Sequence, residues 1–117
     1  MRIEVKGRNV PVGDDLRARV EKRFEKVARQ VSPLARMEVE LSEERNPSIR
    51  ESHVAEANLH LKGVTLRARD SADSAVHAIN LVADELSRQV KRHRDKRRGR
   101  RDAQKFEPMP APEPEAL

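Results

Sequence analysis

The clearest indication of the fold is residues 55–68, AEANLHLKGVTLRA, because apolar and polar side chains alternate on both sides of Lys62-Gly63. Alternation with a period of two is typical of a β-strand that has one buried face and one solvated face. Two such runs joined by a Lys-Gly pair predict a β-hairpin with a tight turn. The small side chains of Ala55, Ala57 and Ala68 on the inward face leave space for a helix to pack closely.

Two strands and one helix are predicted before this hairpin. Alternating apolar residues occur at residues 2–6 and again at residues 37–42, which predicts two more strands. Between them, apolar residues recur at helical spacing, with Asp14-Asp15 suited to the helix start and Ser32-Pro33 ending the helix. Residues 43–50 contain Asn46-Pro47 and are interpreted as a loop. The apolar stripe of this first helix consists of Leu16, Val20, Phe24, Val27 and Val31.

A second helix follows the hairpin, and Asp70-Ser71 is predicted to open it. The order strand, helix, three strands, helix predicts an α+β domain with a four-stranded sheet. Both helices should cover one face of the sheet, and the other face should be open to water. The first two strands are joined through a helix, so the fold needs one crossover connection. The apolar side of the second helix consists of Ala75, Val76, Ile79, Val82, Ala83, Leu86 and Val90.

Composition excludes several classes of function. The chain of 117 residues has two phenylalanines and no Trp or Tyr, which argues against an RNA-binding surface built on aromatic stacking. The absence of cysteine excludes disulfides, thiolate zinc sites and cysteine nucleophiles.

No chemistry-bearing motif is present either. The four histidines lie on different elements and none pairs with another at metal-ligand spacing, and no nucleotide-binding or hydrolase motif is found. We therefore expect no enzyme activity, no metal and no cofactor. The apolar runs are too short for a membrane span and the start is no secretory signal, so a cytoplasmic protein is expected.

Positive charge is concentrated in one short stretch. Residues 88–101 contain nine basic residues and one acidic residue, whereas the formal net charge of the whole chain is only +5. A focused field of one sign attracts a polyanion, and nucleic-acid phosphates are the commonest candidate. The alternative reading is a solvated helix end.

The basic stretch continues the second helix beyond its apolar side. After Val90 the same side of the helix carries Arg94 and Arg97, and no apolar residue follows. We therefore expect the helix to project past the sheet as a basic rod. The first helix adds a basic cluster, for which ordinary surface charge is an equally good interpretation. That cluster consists of Arg19, Lys22, Lys26 and Arg29.

Residues 102–117, DAQKFEPMPAPEPEAL, form a tail of different composition. They hold four of the seven prolines and an excess of acidic residues. Such a segment cannot bury a core and is predicted to be disordered or polyproline-like. The folded domain is therefore predicted to span residues 1–101.

Two segments resemble the bacterial family of ribosome hibernation-promoting factors, ribosome-associated inhibitors and sigma-54 modulation proteins. The first is residues 3–30, IEVKGRNVPVGDDLRARVEKRFEKVARQ, with a Gly-x-Asn-Val turn. The second is residues 78–100, AINLVADELSRQVKRHRDKRRGR, with a Lys-x-His-x-Asp-Lys run. The resemblance covers residues 1 to about 101 with the same order of elements.

The resemblance implies a β-α-β-β-β-α domain similar to double-stranded RNA-binding domains. It also implies binding to ribosomal RNA in the decoding channel of the small subunit, where the protein would exclude messenger and transfer RNA without any catalysis, in stationary phase or stress. In that family the contacts come largely from basic residues on the two helices. Carried onto this chain, the rRNA-binding residues are Lys22, Lys26, Arg29, Arg88, Lys91, Arg92, Arg94, Lys96 and Arg97.

The chain departs from the family pattern in two places. Residues 74–80 align with a run that often carries a tyrosine, and Val76 stands at that position. Long-form members have a second, dimerising domain after a linker, and residues 102–117 resemble the start of that linker. This chain is therefore expected to be monomeric and not to pair ribosomes by itself.

Two other functions stay open on the sequence. One is a general double-stranded RNA-binding module that acts outside the ribosome. The other is a protein-interaction module in which the basic rod binds an acidic partner. No membrane or small-molecule partner is expected.

Overall fold

The computed structural model describes the backbone of residues 1–44 and 50–105, and the side chains of these residues as far as Arg97. The first predicted helix is present as two short helices, and the predicted order of strands and helices is otherwise confirmed. The elements are β1 (Arg2–Arg8), α1 (Asp14–Arg23), α2 (Glu25–Ala28), β2 (Arg36–Glu43), β3 (His53–Leu61), β4 (Val64–Ala72) and α3 (Ala75–Lys105).

The four strands form one mixed sheet in the order β1-β2-β3-β4. Strands β1 and β2 are parallel, which requires the predicted crossover, and the other two pairs are antiparallel. One row of the register runs through Val5, Val39, Ala57 and Ala68, all of which are buried. The residues on this face of the sheet form one side of the hydrophobic core.

The helices cover this face of the sheet, and the core lies between the two layers. Helix α3 packs on β3 and β4, and α1 and α2 pack beside α3. The predicted close approach over the alanines is confirmed, because Ala55 and Ala57 are 0% exposed beneath the helix layer. The largest buried side chains, including Phe24, Met37 and Leu86, each contribute about 1.5–3 kcal/mol through burial.

The first predicted helix is interrupted at Phe24. This residue has φ −96° and ψ 6°, outside the helical region, and it separates α1 from α2. Its amide still donates to the Val20 carbonyl and its carbonyl accepts from the Ala28 amide, so the chain keeps its direction. The Phe24 ring is fully buried, and the apolar stripe predicted from the sequence therefore survives the interruption.

The predicted start of the second helix at Asp70-Ser71 was wrong. Strand β4 continues to Ala72, which pairs with His53, and α3 begins at Ala75. Ser74 takes the capping role, since its hydroxyl accepts a hydrogen bond from the His77 amide at 3.1 Å. Strand pairing thus extends β4 through residues that locally favour a helix cap.

The tight turn after β1 explains why glycine and asparagine occur at positions 7 and 9 of the Gly-x-Asn-Val segment. A Cβ atom at Gly7 would collide with the Val10 carbonyl oxygen and would lie 2.7 Å from Val12 Cγ2. Asn9 has φ 63°, a left-handed conformation that asparagine tolerates better than most residues. The chain therefore folds back tightly over Gly7 before α1 starts.

Helix α3 runs through Lys105, past the predicted domain boundary at residue 101. The rest of the predicted tail, residues 106–117, and residues 45–49 of the predicted loop lie outside the described residues. Among the residues that are described, none of the helices combines the length and apolar composition that crossing a membrane requires.

Candidate nucleic-acid interface

The face of α3 that meets the sheet changes character after Val90. Ile79, Val82, Leu86 and Val90 are buried in the core. Further along the helix Arg94 is half-buried, and Lys91, Arg92, Lys96 and Arg97 are exposed. The helix thus passes from core packing to a charged surface without a break in its backbone, as the sequence predicted for the rod.

Most of the predicted RNA-binding residues have no carboxylate partner among the side chains that the structure describes. An unpaired cation keeps its full charge available for a phosphate group. Within the described side chains, the predicted RNA-binding residues that form no salt bridge are Lys22, Lys26, Arg29, Lys91, Arg94, Lys96 and Arg97.

Arg88 and Arg92 differ, because both engage Glu85. The Glu85 carboxylate lies 2.9 Å from Arg88 and 3.7 Å from Arg92, and it also accepts a hydrogen bond from Gln89. The hydrogen bond from Arg88, with that from Gln89 and the charge of Arg92, lowers the pKa of Glu85. These two arginines are therefore partly neutralised in the free protein.

The cluster on the first helix lies close to the start of the rod. Lys22 lies at the end of α1, and Lys26 and Arg29 lie on and directly after α2, and all three are exposed. Arg23 binds Asp84 of α3 at 3.0 Å and so fixes the two helices side by side. Their basic residues therefore belong to the same layer of the domain.

The open face of the sheet carries charges of both signs. One row of the register holds Lys6, Glu40, Glu56 and Arg69, so opposite charges alternate with like charges across the strands. A mixed pattern of this kind is typical of a solvated surface. It contrasts with the predominantly positive charge of the rod, and it makes the open face a poorer surface for a polyanion.

The open face also holds a specific polar contact. The imidazole of His60 lies 3.0 Å from Glu38 and 3.2 Å from the Thr65 hydroxyl. This hydrogen bond from His60 lowers the pKa of Glu38. The contact joins three neighbouring strands at the end of the sheet from which the rod projects.

A groove with a volume of about 740 Å³ lies at that end, between the turn after α2, the β3–β4 hairpin and α3. Arg94 and Arg97 of the rod line one side of it. Arg36 and Lys62 line it too, although neither is among the RNA-binding residues predicted from the sequence. They come from a strand start and a hairpin turn, and only the sheet topology brings them near the rod.

The architecture described above, a β-α-β-β-β-α layer with a basic terminal helix, is that of a known class. The family model described as "Sigma 54 modulation protein / S30EA ribosomal protein" matches residues 3–98. The chain belongs to this family, and the resemblance found in the sequence is confirmed.

Similarity to individual members is moderate and extends over most of the chain. The "Ribosome hibernation promotion factor" of Picosynechococcus sp. is 28% identical over 102 residues, covering 86% of this chain and 53% of the relative. The "Ribosome hibernation promoting factor" of Acinetobacter guillouiae is 29% identical, covering 80% of this chain and 88% of the relative. This chain thus spans about half the length of the Picosynechococcus protein.

A solved structure supports the fold. The crystal structure of the Thermus thermophilus Protein Y N-terminal domain matches with a TM-score of 0.70 and 29% identity, covering 80% of this chain and 99% of that chain. The predicted α+β architecture is therefore confirmed both by the described residues and by a relative.

Proposed function

We propose that this chain is a ribosome hibernation factor that binds the small ribosomal subunit at the decoding channel. The protein contacts ribosomal RNA through α3 and the first helix, and it excludes messenger and transfer RNA by occupying their site. The names of the relatives support a role in hibernation. The proposal places the protein in the cytoplasm and requires neither a cofactor nor catalysis.

The observation that carries the proposal is the positive charge of α3 that has no carboxylate partner within the described side chains. The helix has 31 residues and ends at Lys105, and its part beyond Val90 extends about 22 Å at 1.5 Å per residue. Lys91, Lys96 and Arg97 are exposed on its projecting part without a carboxylate partner among the described side chains. A rod of this length can contact several phosphates at once, as a cleft lined by RNA requires.

The anchoring of α3 in the core supports the proposed exclusion of messenger and transfer RNA. Since α3 is anchored in the core by Ile79, Leu86 and Val90, its basic end is held in a fixed position relative to the sheet. Phosphate contacts then hold the whole domain in place. Because phosphate contacts carry no base information, binding depends on the shape of the RNA site more than on its sequence.

The test is co-sedimentation of the full chain with bacterial small subunits, with and without initiator transfer RNA and messenger. The test variant carries Arg92→Gln, Lys96→Gln and Arg97→Gln. We expect saturable binding of the unmodified chain that transfer RNA competes away. Loss of three phosphate contacts should lower the slope of log affinity against log salt by about 2.7 on the duplex scale.

The matched control carries Arg2→Gln, Arg67→Gln and Arg69→Gln on the open face, which removes the same charge. It should retain binding, and both variants should show the circular dichroism of the parent. Equal loss in the two variants would contradict the proposed interface. Equal affinity of the parent for free RNA hairpins would instead favour a general RNA-binding module.

A further inference from the structure

The groove at the end of the sheet combines an apolar floor with a basic rim. Val31, Leu61 and Val90 line it, and they come from the turn after α2, from β3 and from α3. Leu34 also lines it and is 90% exposed, so it adds an apolar side chain that solvent reaches. Around this floor the structure places the cationic side chains of Arg36, Lys62, Arg94 and Arg97.

Within the described lining of the groove, no acidic side chain offsets the positive charge of the rim. Among the described residues that line the groove, none is an aspartate or a glutamate. The Nε atom of Arg94 is shielded from solvent and donates no hydrogen bond within the described part of the chain. A guanidinium group binds a carboxylate through two parallel hydrogen bonds, so this rim is suited to an acidic ligand.

The ligand chemistry that fits is an extended peptide that combines acidic and apolar residues. Among the described residues that line the groove there is no Phe, Tyr or Trp, and the aromatic rings present are the imidazoles of His60 and His93. Surfaces that bind unpaired nucleotides stack the bases on aromatic side chains, whereas an acidic peptide needs no such rings. Residues 106–117, FEPMPAPEPEAL, have this composition. Their acidic residues are Glu107, Glu113 and Glu115, and they contain no basic residue.

We propose that residues 106–117 bind in this groove as an intramolecular acidic ligand, with their glutamates on Arg36, Lys62, Arg94 and Arg97. The segment is long enough to reach the groove from the end of α3. Arg97 and Lys105 are separated by about 12 Å along α3, and a proline-rich segment extends by about 3.1 Å per residue. The tether also places the peptide at an effective concentration of about millimolar.

The occupied groove has a consequence that rests on the proposed function. Arg94 and Arg97 belong to the proposed RNA-binding surface, so a bound tail competes with RNA for them. Removal of its three charges should raise the affinity for RNA by about threefold to tenfold at low salt, because exposed ion pairs are individually weak.

The direct test involves no RNA and is independent of the proposed function. The chain has no cysteine, so Ala111→Cys attaches one nitroxide label to the tail of the full-length protein. Paramagnetic broadening of the backbone amide signals is then measured by nuclear magnetic resonance. We expect broadening at Leu34, Leu61 and Lys62, and none at Lys6 or Glu56 on the open face.

The control is the same labelled chain with Glu107→Gln, Glu113→Gln and Glu115→Gln. Broadening in the groove should disappear in this variant, and in the parent at about 1 M salt, where the screening length is about 3 Å. Broadening that survives neutralisation, or that is absent from the groove at low salt, overturns the proposal. Broadening seen only between mixed labelled and isotope-enriched copies overturns it in favour of a second copy.

Discussion

Glu85 limits the charge of the proposed RNA-binding surface, and its neutralisation should strengthen RNA binding. The carboxylate holds Arg88 through two hydrogen bonds, at 2.9 and 3.3 Å, and Arg92 at a longer 3.7 Å. In Glu85→Gln the amide replaces the charge while a hydrogen bond with Gln89 remains possible. Both arginines are then free to contact phosphate.

The size of the effect follows from these contacts. Exposed ion pairs contribute about 0.2–1 kcal/mol, and the doubly bonded pair with Arg88 belongs near the upper end while the long contact with Arg92 belongs near the lower end. Their release should therefore favour RNA binding by about 1 kcal/mol, which is about fivefold in the dissociation constant. Each additional phosphate contact should steepen the salt dependence by about 0.9 on the duplex scale.

The assay is fluorescence anisotropy of a labelled RNA helix, titrated with each protein at several salt concentrations. Glu56→Gln is the matched control, since it changes the net charge equally but lies on the open face of the sheet. It should leave the affinity nearly unchanged. Equal gains in the two variants would show that only net charge matters, and weaker binding by Glu85→Gln would refute the reasoning.

Two further outcomes concern stability. Gly7→Ala should lower the free energy of unfolding by about 2 kcal/mol or more, because the added methyl group meets backbone; urea denaturation checks this, with Gly13→Ala, where nothing lies within 4 Å, as the milder control. The pKa of Glu38 is lowered in the folded protein by His60, so its stabilising contribution is present above the unfolded-state pKa of about 4.3 and is lost as the pH falls through the folded value. In Glu38→Gln the acid-induced loss of stability should be smaller, and parallel pH curves for the two proteins would contradict this assignment.

The fold was accessible from the sequence because its patterns are local and consistent. Alternation in residues 55–68 and the stripe through Leu16 and Val27 each specify one buried face, and a sheet with two covering helices satisfies all of them. The sequence-based prediction was wrong where pairing with a strand distant in sequence determines the local structure. Asp70-Ser71 resembles a helix cap, but the partner strand at His53 keeps those residues in β4.

The candidate site was accessible only in part. The charge of the rod is contiguous in sequence, so Lys91, Lys96 and Arg97 could be selected without a structure. Arg36 and Lys62 are isolated basic residues in sequence, and only the β2–β3–β4 register places them beside Arg94 and Arg97. The pairing of Glu85 with Arg88 has the spacing of a helical ion pair and could have been recognised.

The rod is a helix because of the core at its other end. Like charges three and four residues apart destabilise an isolated helix, and a short segment of this composition would not nucleate one. The packed turns from Ile79 to Val90 supply the nucleus, and the basic residues extend it against their mutual repulsion. Phosphates or the glutamates of the tail relieve that repulsion when they bind. Any anionic ligand should therefore also strengthen the helical hydrogen bonds beyond Val90. The helical order of the rod should increase as more of the ligand is bound.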